Sequence, residues 1–213
     1  MPFALFANQP MFFLIWILAV LIGLSIHEFS HALAGSLLGD DTAKSMGRLT
    51  LNPLSHVDWV GFFMLLFVGF GWGKPVPYNP HNLRFPKWGP ALVGMAGPLS
   101  NLIGATICGV ILKILINTTN LPQDNLLILF LTLLVIINLV LMLFNLIPIP
   151  PLDGSKVLLS YLDSPHYAHI RFLLETRGPL ILLGVIIADR LLNLNIFSTL
   201  FGGIINSVYN LIF

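Results

Sequence analysis

Charge is what this chain has least of: Asp, Glu, Lys and Arg together make up 9% of its 213 residues. A soluble domain carries about a quarter. Folding cannot hide such a deficit, because even a compact domain keeps much of its chain near water. A soluble enzyme is therefore excluded. With 56% hydrophobic residues and a mean hydropathy of +0.90, the chain is expected to be an integral membrane protein with the lipid bilayer as its solvent. The net charge is only +1 with no dense basic cluster, so nucleic acid is not an expected partner. One cysteine, Cys108 in an apolar run, excludes an intramolecular disulfide and reads as packing. The opening MPFALFANQP has no positive stretch and no small-residue cleavage site follows it, so a removed signal peptide is not expected. Internal repeats and low-complexity tracts are missing too. The expected organisation is a single membrane-embedded domain over residues 1–213, its core about 11–163, with a C-terminal apolar segment at 179–213.

Long apolar runs are what the chain does have. The first extends from about Met11 to Leu38, ample for roughly 30 Å of hydrocarbon. A second, Val57 to Trp72, is short for a span and rich in glycine, which suits a re-entrant or interfacial segment. Runs from Ala91 to Ile116 and from Asn125 to Ile147 are further spans. Between the first two runs, "GRLTLNP" alternates apolar and polar residues and predicts a short strand near Arg48–Leu51. A short helix is expected around Ser155–Leu162, and the tail from Pro179, broken at Asp189-Arg190, forms either one tilted span or two shorter helices. The fold class expected is an all-α polytopic membrane protein with four to six membrane segments, a re-entrant segment and a small β element near the cytoplasmic face.

Basic residues set the orientation. Lys44 and Arg48, then Lys74, Arg84 and Lys87, then Lys156, Arg171 and Arg177 fall in three polar segments, while the Asn117–Asp124 loop and the N-terminal tail have none. All three segments face the cytoplasm only if Val57–Trp72 returns to the side it entered from. This predicts an N-terminus outside and chemistry toward the cytoplasmic side; the small size and lack of organellar targeting suggest a prokaryotic plasma membrane.

The polar exception within the first span is His27-Glu28-Phe29-Ser30-His31. Histidines four apart lie on one helix face and can reach one metal ion, and the glutamate between them can serve as general base and then acid. An ionised carboxylate at bilayer depth costs about 2.5–3.5 kcal/mol, so a mere polar seam would be an expensive use of these types. Catalytic zinc needs a third protein ligand and an open position. Asp153 is the candidate, at the end of the fourth run after three prolines that prevent regular helix. The local sequence alone fits an Asp-Gly turn as well as a ligand; the preceding asparagine and prolines favour the ligand. Of the other histidines, His56 with Asp58 reads as an interfacial cap, His81 as solvated, and His166 with His169 as a surface helix face.

Together, HExxH in the first core span, "GMAGPLSN" (Gly94 to Asn101) in an intervening one and "NLIPIPPLDG" in a later one make the chain resemble the site-2 protease family of intramembrane zinc metalloproteases, over about Ile22 to Lys156. The resemblance implies one zinc per chain held by His27, His31 and Asp153, with Glu28 as catalytic base. It also implies that Asn145 and Asn101 position substrate, and that the chain is of the compact kind, without a PDZ domain or a nucleotide-binding pair. Transmembrane proteins or peptides would be the substrates. Side-chain amides can indeed pair with the N–H and C=O groups of an unwound helix, and the Arg48–Leu51 or Val76–Tyr78 regions could add a main-chain ladder. Helix–helix hydrogen bonding beside Gly94, Gly97 and Ser100 fits Asn101 equally well. A membrane metal transporter would also put His and Asp in the bilayer, but it would need polar residues through the other leaflet, where "MFFLIWILAVLIGLSI" offers almost none. A non-catalytic scaffold would have lost a ligand or the base. Oligomeric state is not legible in the sequence.

Overall fold

A computed structural model describes residues 9–122 and 124–212, the side chain at position 190 excepted. The described chain is all-helical. Helix α1 (Pro10–Leu37) opens with proline at its first turn, where a missing N–H costs nothing. It is stopped by Gly39, whose φ of +104° suits glycine. There Asp40 N–H bonds to Gly35 O at 2.9 Å and Gly39 N–H to Ser36 O at 3.1 Å, closing the last carbonyls as a Schellman end does.

Asp40 then fastens the exit from α1. It is 1% exposed, and its carboxylate accepts from Thr42 N–H (3.2 Å), Thr42 Oγ1 (2.5 Å), Asn79 N–H (2.7 Å) and Asn82 Nδ2 (3.0 Å). Burial by itself would raise its pKa; the donors outweigh that and hold it below the ordinary carboxylate value. A depressed folded pKa means the stabilisation is complete above the unfolded value, about 3.9. It is lost as pH falls from there through the folded pKa. Asp40→Asn should lower stability at neutral pH by about 1–3 kcal/mol and flatten the acid limb of a plot of Tm against pH. An unchanged acid limb would place the linkage at another group.

After the single turn α2 (Thr42–Ser45), the expected strand near Arg48–Leu51 does not form. Its alternation is real in sequence, but the backbone is committed locally. Arg48 N–H bonds to Ala43 O, and Pro53 opens a 3₁₀ turn capped by the Asn52 side chain on Leu54 N–H. Among the described residues the β pairing is one isolated antiparallel bridge, Val57 to Gly73. That bridge closes the ends of α3 (Trp59–Val68), with Lys74 N–H on His56 O at 2.8 Å. Ten residues reach about 15 Å, half of the roughly 30 Å a span needs. The return path lies so close that a methyl group on Gly61 or Gly71 would overlap the facing backbone.

Helices α4 (Gly89–Thr118) and α5 (Leu126–Asn145) pack against α1 and each other. Their core is Ala19, Ala105, Leu112, Leu131, Leu134, Val135 and Leu139. Among the described residues α1, α4 and α5 are long and apolar enough to cross a membrane, and Trp59–Val68 and Ile196–Ile212 are shorter apolar helices. Their outward faces are apolar as well: Leu14, Leu18, Leu99, Ile103 and Ile107 are all exposed. A surface of that kind is stable only against lipid. The protein is an integral membrane protein.

Short helix α6 (Asp153–Tyr161) follows the proline stretch and packs on α4. The tail resolves into two helices, α7 (Ala168–Leu191) and α8 (Ile196–Ile212). Asn193 and Asn195 take left-handed φ values of 49° and 56° between them, and Asp189 accepts the Ile196 N–H at 2.6 Å. Helix α8 runs along α4 and α5, with Phe197 against Phe144 and Ile212 in the core. The N-terminal tail used for the expected orientation lies, through residue 8, outside the described residues.

Candidate metal centre

The polar face of α1 turns inward. His27, Glu28 and His31 are 3%, 8% and 5% exposed, and both imidazoles face α4 and the start of α6. The turn at residues 146–152, with its prolines, delivers Asp153 to the first position of α6 and aims its carboxylate across at α1. His27 Nε2 and His31 Nε2 stand 3.0 Å apart, and Asp153 Oδ2 lies 3.0 Å from the first and 3.1 Å from the second. Residues 126 and 122 positions apart in sequence thus place three ligand atoms together. Among the described residues this is the grouping of His, Cys, Asp or Glu that could hold a metal ion.

What each imidazole does at its other nitrogen decides the chemistry. His31 Nδ1 lies 2.7 Å from Val93 O, and a carbonyl only accepts, so Nδ1 carries the proton. For His27 the partner is Asn101 Oδ1 at 2.5 Å. The orientation of that amide is fixed in turn, because Asn101 Nδ2 donates to Gly23 O at 3.3 Å and to Asn138 Oδ1 at 2.8 Å. Both neutral histidines therefore present bare Nε2 lone pairs to a carboxylate oxygen. Three acceptors at such range repel one another unless a cation sits among them, whether a proton or a metal ion. Tetrahedral zinc with bonds of about 2.0–2.1 Å sets its ligand atoms about 3.3 Å apart, close to the spacings here. Space for it is provided by Gly97, where a methyl group would come within 2.5 Å of His31 Nε2 and 2.6 Å of His27 Cε1. The residues present fit a zinc ion.

Glu28 sits beside this cluster without joining it. Among the described residues no donor is bonded to its carboxylate, which leaves it free to take a proton. Arg48, 6% exposed, stands near enough for its charge to attract Glu28. Its Nη2 donates to Lys74 O at 2.6 Å, and among the described residues its Nε is buried without a partner, as is Nδ1 of the fully buried His56. A cavity of about 460 Å³ opens along this segment, lined by Arg48, Lys74, Asp58 and Trp59 among others.

Of the sequence-expected residues, the structure brings together His27, Glu28, His31, Asp153 and Asn101. Asn101 is fully buried with its oxygen and both N–H groups bonded inside the protein, so its geometry is that of a helix–helix link that also orients His27. Among the described residues Asn145, at the end of α5, uses only its N–H, on Leu141 O at 3.0 Å, and stays half-buried. Asp58 caps α3 through Gly61 N–H at 3.0 Å. Sequence reasoning missed Asn138, Arg48 and Lys156. Asn138 lies seven positions before Asn145, two turns along one face, which is a visible signal; Arg48 had none. Lys156 stands three after Asp153, the spacing of a helical ion pair.

Because Asn101 fixes the tautomer of His27, Asn101→Ala should weaken zinc binding by roughly 10- to 100-fold in a chelator-competition titration. Equal affinities for wild type and Asn101→Ala would remove the orienting role.

Two histidines one helical turn apart, a remote aspartate and a glutamate between the histidines, all buried in a membrane helix bundle, define a metallopeptidase-type centre. Residues 109–172, which carry Asp153 and Asn145, match the model of Peptidase family M50. Over 152 residues the chain is 40% identical to a Bacillus subtilis protein named "Putative zinc metalloprotease YwhC", covering 67% of this chain and 66% of that protein. It is 29% identical over 160 residues to "Putative zinc metalloprotease Rip2" of Mycolicibacterium smegmatis (71% and 58%) and 32% identical over 142 residues to its Mycobacterium tuberculosis namesake (65% and 53%). The matches thus span less than two thirds of each relative's length. No solved structure gives a significant match. The chain belongs to the M50 peptidases, the site-2 protease family.

Proposed function

We propose that the protein is a zinc-dependent intramembrane endopeptidase that hydrolyses peptide bonds in transmembrane segments of membrane proteins, as in regulated intramembrane proteolysis. The observation that carries this reading is the convergence of His27 Nε2, His31 Nε2 and Asp153 Oδ2 beside an uncommitted Glu28. His27, His31 and Asp153 would hold one zinc per chain. When bound, zinc supplies a Lewis acid that acidifies water and polarises a peptide carbonyl. Glu28 takes the proton from the attacking water and returns it to the leaving amine. His27 and His31 keep their Nδ1 protons on Asn101 and Val93 throughout. Asn145, with its amide oxygen free of protein donors among the described residues, is placed to accept from a substrate backbone N–H once the helix has unwound.

The paired ends of α3 support a re-entrant segment that leaves the bilayer on the side it entered. The basic segments then share the cytoplasmic side, the N-terminus lies outside, and the active site opens toward the cytoplasm of a prokaryotic cell. Residues 1–213 act as one protease domain in this reading. The test is cleavage of a fluorescent transmembrane peptide by purified protein in liposomes. Stripping metal with a chelator should abolish cleavage, and about one equivalent of zinc should restore it. Cleavage that survives complete metal removal would overturn the proposal.

A further inference from the structure

Asp153 has two carboxylate oxygens, and the structure treats them differently. Oδ2 faces both histidines, while Oδ1 accepts a hydrogen bond from Lys156 Nζ at 2.9 Å. Lys156 lies one turn further along α6, and several contacts hold it there. Its ammonium sits 5.4 Å from the centre of the Tyr78 ring, at cation–π range. Its stem packs on Gly94 of α4, where a methyl group would come within 2.8 Å of Cδ and 3.1 Å of Cβ. The helix bearing both residues is further pinned by Tyr161 edge-on to Trp88, ring centres 4.9 Å apart. A partly buried lysine, its ammonium held between a carboxylate and an aromatic face with the stem against a glycine, is not a loose surface cation.

We propose that Lys156 is a positioning residue that restricts Asp153 to a single ligating oxygen; this rests on the zinc-site reading above. An aspartate left to itself can give a metal one oxygen or two. With two, a His–His–Asp site fills the position that a catalytic site keeps open for water and substrate. An ammonium hydrogen-bonded to Oδ1 takes one of its lone pairs and sets a positive charge beside it that opposes a second metal bond, and the charge-assisted bond is among the stronger kinds. Tyr78 keeps the ammonium from swinging out to water.

The test uses cobalt(II) in place of zinc, because the intensity of its visible bands reports coordination number: strong when four-coordinate, weak when five or six. Wild type should bind one cobalt per chain with strong bands. Lys156→Met should also bind one cobalt but with markedly weaker bands, and its kcat should fall roughly tenfold with KM little changed. Lys156→Arg, which restores a cation donor, should recover the strong bands. Lys156→Leu serves as a second neutral variant without a donor if Lys156→Met does not fold. Wild-type bands in either neutral variant would overturn the role of Lys156 and leave the metal site standing. Wild type that binds no cobalt would overturn the zinc-site reading and this one with it.

Discussion

Glu28→Gln is expected to keep its zinc and lose its turnover. The side chain keeps its length and shape, and it is not one of the three groups whose atoms converge, so metal content should stay at the wild-type value. The amide cannot take a proton from water at neutral pH. General acid–base catalysis by a positioned side chain is worth roughly 10²–10⁴-fold, and kcat should fall by that factor, about 3–5 kcal/mol of barrier. Two features of the site make the loss fall on kcat rather than on binding. Glu28 has no hydrogen-bond donor among the described residues, so no structural bond is broken. It stands next to His27 on α1 but is outside the three ligands, so its replacement leaves them in place. Glu28→Asp draws the carboxylate back by one methylene and should fall between the two. Single-turnover cleavage of a transmembrane peptide, read beside the zinc content of the same preparation, checks this. Cleavage near the wild-type rate by a zinc-loaded Glu28→Gln protein would assign the base to another group.

The parts of this site legible in the sequence are those fixed by local helical geometry. His27 and His31 are four apart, so any helix brings them to one face, and an apolar run of that length leaves no alternative to helix. Asp153 was legible for a different reason: prolines end the fourth run just before it and bring the chain back toward α1. The strand expected at Arg48–Leu51 failed because alternation is only half of the requirement. A strand also needs a partner for its backbone, and here Arg48 N–H goes to Ala43 O, Thr50 O takes the His56 ring, and the chain turns at Asn52–Pro53. Asn101 was legible as a residue but not as an actor. Its amide is turned by Gly23 and Asn138 on two other helices, a contact set that only packing creates. Arg48 was read as a topological charge; that its guanidinium is buried near Glu28 depends on Lys74 returning beside it through the closed ends of α3.

Loss of a metal ligand should have the largest effect of any change at this site, and Asp153→Ala should be worse than His31→Ala. Zinc sites in small domains deliver about 10–16 kcal/mol; shared over three or four ligands, each carries about 3–4 kcal/mol, or roughly a few hundred-fold in Kd. Removing His31 leaves His27 and Asp153 with their supports intact, and Val93 O loses only one donor. Removing Asp153 does more. The Lys156 ammonium loses the carboxylate 2.9 Å away and becomes an unpaired cation at the rim of a site that must accept Zn²⁺. A buried or half-buried charge left without its partner is destabilising in itself, and here it also repels the metal. The double variant Asp153→Ala, Lys156→Met should therefore bind zinc more tightly than Asp153→Ala alone, while staying well below wild type. Metal analysis of detergent-purified protein, with chelator competition for the weaker sites, measures all four. Wild type should hold about one zinc per chain, His31→Ala should bind it roughly a few hundred-fold more weakly, and Asp153→Ala more weakly still. Full zinc in Asp153→Ala would move the third ligand elsewhere in the chain, and identical affinities for the single and double aspartate variants would remove the electrostatic part of the argument.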